Sequence, residues 1–163
     1  MTDYTYFEQL VPVAMNCTKQ ITDSPSNKDF IASNTRSAQG LLWSYDSFVQ
    51  KVFLHVLGVA VNTYAGSNAL DCTTASHNQW QINLNGGSYS DLVNGTNPDG
   101  QMLDDDWRCP VEGATHSFHL MFDITSQLTD IDGNIGLRLQ NAKAEQSSLY
   151  VTVYVFLRIL WYH

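Results

Sequence analysis

The sequence lacks the features that identify most enzymes and genome-binding proteins. It has no glycine-rich phosphate loop, no zinc-protease helix motif and no serine-hydrolase elbow, the short patterns that would name a reaction. Only 8 of its 163 residues are lysine or arginine, against 16 acidic residues, for a net charge of −8. Because duplex nucleic acid is bound by clustered basic side chains, we expect no direct contact with it. We predict no catalytic residue, no cofactor, no metal and no enzymatic activity.

Cysteine is also scarce. Cys17, Cys72 and Cys109 form an odd set without C-x-x-C spacing, which favours free thiols that are partly buried. A Cys72–Cys109 bridge between two loops stays open as an alternative.

The amino terminus has no basic start followed by an unbroken apolar stretch, so no secretory signal is predicted. The two glycan-acceptor triplets, at Asn16 and Asn94, are therefore interpreted as chance.

Glutamate is rare and no apolar run is long enough for a membrane helix. Thirteen of the acidic residues are aspartate and three are glutamate, a bias that favours turns and strands over helix interiors. The closing stretch SSLYVTVYVFLRILWYH is shorter than the roughly 20 apolar residues of a spanning helix, and it contains Arg158. Its apolar residues alternate with a period of two. The pattern predicts a strand with one face in a core, and no membrane insertion.

The same alternation recurs along the chain and predicts about eight strands with no confident helix. The apolar stretch 48–61 is interpreted as a buried strand because it is rich in valine and phenylalanine. The clearest strands are predicted at 149–161, 117–124, 135–140, 80–84 and 48–61, and weaker ones at 10–15, at 41–45 and near Phe30.

The connections are polar and unequal in length. Asp132-Gly133-Asn134 is typical of a tight hairpin turn. The segment 141–148 is predicted to contain a brief helical turn. The segment 85–113 is nearly thirty residues long, whereas a usual connection has about five. Such a loop is expected either to pack over the sheet or to contact another molecule.

These patterns predict an all-β fold, an antiparallel β-sandwich of the jelly-roll type with about eight strands and long polar loops. The immunoglobulin sandwich fits less well, because no Cys…Trp…Cys pattern is present at the expected places. The chain is expected to form a single domain, 1–163. Its residues 1–9 are predicted to be a flexible or exchanged N-terminal arm.

Two groups of ionisable residues do not fit a metal site. His116 and His119 are three apart, so they point to opposite faces of a strand and cannot share a metal. The turn with Asp130 and Asp132 resembles part of a calcium loop but lacks the remaining ligands.

Aromatic residues suggest two interaction surfaces instead. Those on the second face of the last strand, and at its end, are predicted subunit contacts: Tyr150, Tyr154, Phe156, Trp161 and Tyr162. An alternative ligand surface combines acids with aromatic rings on which a sugar could stack: Tyr89, Asp104, Asp105, Asp106 and Trp107.

The chain resembles a single jelly-roll capsid protein, a coat or vertex protein, of an icosahedral virus. The resemblance is carried by the strand succession that ends in LYVTVYVFLRILW, by the polar loops and by the lack of catalytic signatures. It implies a sandwich that self-associates, with copies of itself and another capsid protein as partners, located in a virion assembled in the host cytoplasm. The first forty residues hold three basic and four acidic residues, so the basic genome-binding arm of many coat proteins is missing.

Two other functions remain open at this point. A carbohydrate-binding (lectin-like) or adhesive module, with a glycan as its ligand, would use the alternative surface, since jelly rolls also serve as lectin domains. A hydrolase that uses paired carboxylates is the third hypothesis.

Overall fold

The structure, a computed structural model, describes residues 6–31, 49–71, 73–74, 77–84, 87–92, 108–126 and 135–162. Regular secondary structure in these ranges consists of ten strands. They are β1 (Tyr6–Ile21), β2 (Ser26–Ile31), β3 (Val49–Asn62), β4 (Asn68–Ala69), β5 (Gln79–Leu84), β6 (Ser90–Asp91), β7 (Arg108–Cys109), β8 (Thr115–Asp123), β9 (Ile135–Ala142) and β10 (Leu149–Tyr162). Among the described residues, no helix could span a membrane.

The strands form two four-stranded sheets and one small ribbon. Sheet A has the order β1-β10-β3-β8, sheet B has the order β2-β9-β5-β6, and β4 pairs with β7. All pairings are antiparallel. They are also nested, since β1 pairs with β10, β2 with β9, β3 with β8, β4 with β7 and β5 with β6. One long hairpin is thus rolled up until β10 also meets β3 and β9 meets β5, which is a jelly roll. The predicted fold class is confirmed.

The core lies between the two sheets and follows the alternation in the sequence. Along β10 every second side chain from Leu149 to Ile159 is at most 2% exposed. Trp80 on β5 and Phe122 on β8 are fully buried in the same cluster. Each large apolar side chain removed from water in this way stabilises the fold by about 1.5–3 kcal/mol.

Fully buried asparagines hold the connection between β9 and β10. The Asn78 amide donates to the carbonyls of Asp71 (2.9 Å) and Lys143 (3.0 Å), and Asn68 donates to that of Gln146 (3.1 Å). Ala144 forms an isolated antiparallel bridge with Leu70. Because these contacts occupy the backbone groups that a helix would need, the helical turn predicted at 141–148 is wrong.

Further predictions need correction. The strand predicted at 10–15 is β1, whose sixteen residues contain two register shifts, between Pro12 and Ala14 and between Ala14 and Cys17. The turn at 132–134 does not close a hairpin, because β8 belongs to sheet A and β9 to sheet B. Its own residues, like the strand predicted at 41–45, lie outside the described ranges.

The remaining predicted strands and thiols agree with the structure. The stretch predicted at 48–61 is β3, and the long segment 85–113 contains the short strands β6 and β7. Cys109 is a free, buried thiol, and burial raises its pKa. Cys17 is also free, whereas Cys72 lies outside the described residues. Because Cys109 is a free thiol, it does not form the alternative bridge with Cys72.

Candidate interaction surface

The outward side of sheet A, which we call the A face, carries most of the large apolar side chains that the structure leaves exposed among the described residues. Inward positions of β10 and β3 pack in the core, so their intervening residues point away from sheet B. Large apolar side chains that the structure leaves exposed on the four strands of this sheet are Leu10, Met15, Leu57, Met121, Tyr150 and Tyr154. Met15 is 67% exposed and Leu10 59%. Exposed apolar surface of this kind is typical of interaction sites.

A groove runs along the A face beside the irregular part of β1. The register shifts at Pro12 and Ala14 bend β1 away from regular pairing with β10. They leave a cavity of about 230 Å³ that Leu10, Pro12, Met15, Tyr154 and Phe156 line with apolar atoms. An apolar side chain from another molecule would fit this groove better than a polar ligand, because few polar groups converge on it.

Two imidazoles and a phenyl ring stack in the middle of the A face. His55 Nδ1 lies 2.7 Å from His119 Nε2, and the ring centroids are 5.0 Å apart. Phe156 stacks on the other side of His55, with a centroid distance of 4.6 Å and an interplanar angle of 9°. His55 is only 6% exposed, and burial lowers its pKa, with His119 and Arg158 lowering it further. These surroundings thus favour the neutral form of the His55 imidazole.

Charges occur on the A face as ion pairs at one end. The Arg158 Nε donates to Glu8 Oε1 at 2.6 Å, which joins β10 to β1. The Lys51 Nζ donates to Asp123 Oδ2 at 2.7 Å, which joins β3 to β8. Both pairs are partly exposed, so each contributes at most about 1 kcal/mol to stability. Their effect is to leave this end of the face without net charge.

The structure locates the predicted contact residues at the positions that the alternation assigned. Tyr150 and Tyr154 are exposed on the A face, and Phe156 is half-buried against His55. Trp161 and Tyr162 end β10, where the structure describes only the backbone.

The alternative ligand surface is only partly described. The ring of Tyr89 is covered by the Arg138 guanidinium, whose Cζ lies 3.9 Å from the ring centroid. Arg138 is held in turn by Asp29, at 2.6 Å. Stacking of a sugar on that side of Tyr89 would have to displace this cation. Residues 104–107, with the three aspartates and Trp107, lie outside the described ranges.

The outward side of sheet B differs from the A face in its polarity. Gln79, Gln81 and Asn83 occupy the outward positions of β5, and all three are buried. Gln81 donates to Asp91 at 2.7 Å and to Gln140 at 3.1 Å. Since these outward side chains are polar and Gln81 is already bonded within the chain, the described part of this side offers less apolar contact surface than the A face.

The histidine pair was missed at the sequence level. His116 pairs with buried Ala60 and His119 with exposed Leu57, so the two lie on opposite sides of β8 as predicted. The partner of His119 is instead His55, 64 residues away along the chain. The sequence gives one signal for this contact. In their two predicted strands, His55 and His119 both alternate with core-facing residues and therefore both point outward. Within the described ranges, no group of three or more histidine, cysteine or acidic side chains could hold a metal.

These features define the protein as an all-β jelly roll with one exposed apolar sheet face. No family model matches the sequence, and no curated protein matches it. Among solved structures, the chain is similar to viral capsid proteins over nearly its whole length.

Three of these structures illustrate the similarity. The infectious bursal disease virus VP2 subviral particle matches 97% of the chain, with 11% identity and a TM-score of 0.39. The infectious bursal disease virus Gx strain matches 97%, with 11% identity and a TM-score of 0.37. The STIV MCP matches 96%, with 10% identity and a TM-score of 0.43. The chain spans 32% of the length of the first two proteins and 48% of the third. The likeness is a general one.

Proposed function

We propose that this protein is a structural virion subunit whose copies associate through the A face, without direct contact to the genome. The single observation that carries the proposal is the exposed apolar surface on sheet A. In an isolated domain that surface would remain in contact with water, at a cost of about 25 cal/mol for each Å². Burial between copies removes this cost, as obligate interfaces resemble a domain core that has been cut in two.

The size of the A face supports a second copy as its occupant. The register of β10 with β3 runs from Leu149 to Trp161, a length of about 40 Å at 3.3 Å per residue. Four strands spaced about 4.8 Å apart give a width of about 19 Å. The resulting area, about 760 Å², is close to the area of roughly 800 Å² that each partner buries in a standard stable interface.

The charges of the A face support the same occupant. The ion pairs Arg158–Glu8 and Lys51–Asp123 are internal to each copy. A partner needs no complementary charge to meet them, which suits a second copy of the same face in a symmetric contact. Genome phosphates would require free cations, and the net charge of −8 repels them.

The test is the size of the purified protein at neutral pH, by light scattering and negative-stain microscopy. We expect dimers or larger assemblies for the wild type and monomers for Tyr154→Lys, because a buried charge in the centre of an interface costs several kcal/mol. Tyr64→Lys is the matched control, since Tyr64 is equally exposed (42% against 40%) but lies in the β3–β4 connection.

Both variants should unfold at the wild-type temperature to within a few degrees. A monomeric wild type would refute association through this face. Equal loss of assembly in both variants would show that the A face is not the contact.

A further inference from the structure

The hydrogen bond between His55 and His119 limits how many protons the two rings can hold. One of the facing nitrogens, Nδ1 of His55 and Nε2 of His119, must donate and the other must accept. The bond therefore forms when both rings are neutral or when they share one charge. A doubly protonated pair has four donors and no acceptor, and it places two positive charges within contact distance. Such a pair has to separate.

The surroundings of His55 oppose even the first proton. The ring lies between Phe156 and His119, and its Nε2 is buried without a hydrogen-bond partner in the described part of the chain. Burial is the main reason that its pKa is lowered, followed by the charges of His119 and Arg158, whereas Glu8 raises it.

The charged groups around the pair come from all four strands of sheet A and are themselves paired. They are Glu8 on β1 with Arg158 on β10, and Lys51 on β3 with Asp123 on β8. The carboxylates are thus already engaged with their own cations. Glu8 raises the pKa of His55 only as the smallest of the contributions, after burial, His119 and Arg158, which all lower it.

We propose that the His55–His119 pair makes association through the A face dependent on pH, strong when both imidazoles are neutral and weak once the pair takes up protons. This inference rests on the proposed function, because it assigns a regulator to the same face. A second copy seated on the face excludes water from the exposed ring of His119, which is hydrogen-bonded to the already buried His55. Protons are then bound more weakly by the associated state than by separated copies.

The direction of the effect follows from linkage. Because the pKa of His55 is already lowered in the single chain, separated copies bind more protons than associated ones below the ordinary imidazole value of about 6.5, and association strengthens as the pH rises towards that value. It weakens as the pH falls towards 5. One unit of pKa difference between the two states corresponds to about a tenfold change in the association constant.

The experiment measures the association constant by sedimentation velocity at pH 8.0, 6.5 and 5.0. Three proteins are compared, namely the wild type, the double variant His55→Gln/His119→Gln, and His116→Gln as the matched control on the opposite side of β8. We expect the wild type and the control to lose at least about tenfold between pH 8.0 and 5.0. The double variant, which cannot take up protons there, should change less than about threefold.

Each outcome decides the matter. Equal pH dependence in the wild type and the double variant overturns the inference, and pH-independent association of the wild type does so while leaving the proposed function intact. A monomeric wild type at pH 8.0 overturns both. Association at pH 8.0 that EDTA abolishes would assign the pair to a metal ion and also overturn the inference. Where circular dichroism shows that the double variant is unfolded, the single change at the exposed partner, His119→Gln, replaces it.

Discussion

Among the described residues, Asp71 is the ionisable side chain whose protonation should matter most to the stability of the single chain. Its carboxylate accepts from Lys143 Nζ at 2.7 Å and from the backbone and hydroxyl of Thr73, and these bonds lower its pKa from 3.8 to about 2. The hydrogen bond from Lys143 is the largest cause. A depressed carboxyl pKa stabilises the fold above the ordinary value and ceases to do so as the pH falls towards 2.

We therefore expect Asp71→Asn to lower the free energy of unfolding by about 1–2 kcal/mol at pH 7. The difference from wild type should shrink between pH 4 and pH 2, as measured by urea denaturation across that range. Asp123→Asn is the control, because its ion pair with Lys51 is exposed, and it should cost less than about 1 kcal/mol. A constant Asp71→Asn deficit at all pH values would contradict the assignment.

Sequence reasoning reached some individual residues of the A face and not others. Tyr150, Tyr154 and Phe156 could be predicted to point outward because alternation along one strand is a local property. The contact between His55 and His119 could not, because it depends on the register between β3 and β8, which no local pattern fixes. The role of Tyr150, Tyr154 and Phe156 as subunit contacts remains a prediction, which the Tyr154→Lys variant tests.

At the scale of the element, the packing between β3 and β8 depends on one glycine. Gly58 pairs with Phe118 across the two strands, and a methyl group on Gly58 would overlap the Phe118 ring. The glycine leaves the space in which this half-buried ring packs against the core. An internal glycine in an otherwise apolar strand thus has a packing reason rather than a conformational one.

We expect Gly58→Ala to destabilise the protein by about 1–3 kcal/mol, because the ring must move out of its place. In a Phe118→Ala background the same change should cost less than about 1 kcal/mol, since the obstacle is gone. Urea denaturation of the four proteins in a double-mutant cycle measures this coupling. An equal cost of Gly58→Ala in both backgrounds would show that the ring is not the obstacle.

Most strands that could be predicted have an unbroken period of two, namely β5, β8, β9 and β10. β3 lacks this period and was predicted from its valine and phenylalanine content, and the predicted bounds of all five strands agree with the structure to within a few residues. β1 was shortened because its two register shifts interrupt the alternation. β4, β6 and β7 have two residues each, too few for any period to show.

On the scale of the whole molecule, the nested topology joins the two halves of the chain at every pairing. Each strand pair in the described ranges couples one of β1–β5 with one of β6–β10. The isolated bridge between Leu70 and Ala144 does the same. Local patterns could predict the strands but not this order, because sheet membership depends on contacts between residues as far apart as Tyr6 and Tyr162.

The topology predicts that neither half of the chain folds alone. A fragment of residues 1–86 contains β1–β5 and one of residues 87–163 contains β6–β10, so each would expose apolar strand faces with none of the pairings described here. Isolated strands without partners are not stable in water. We expect each fragment to show a disordered circular dichroism spectrum and no cooperative unfolding. An equimolar mixture should regain β-structure and a buried environment for Trp80.

The return of β-structure in the mixture should be slow. Strands that are far apart in sequence must pair before their apolar side chains are buried, and only that burial stabilises the pairing. Dilution from urea, followed by tryptophan fluorescence, gives the rate, and a higher concentration of both fragments should raise it as a bimolecular step requires. A fragment that unfolds cooperatively by itself would mean that pairings within one half suffice. The jelly roll would then not be the single cooperative unit that its nested pairing implies.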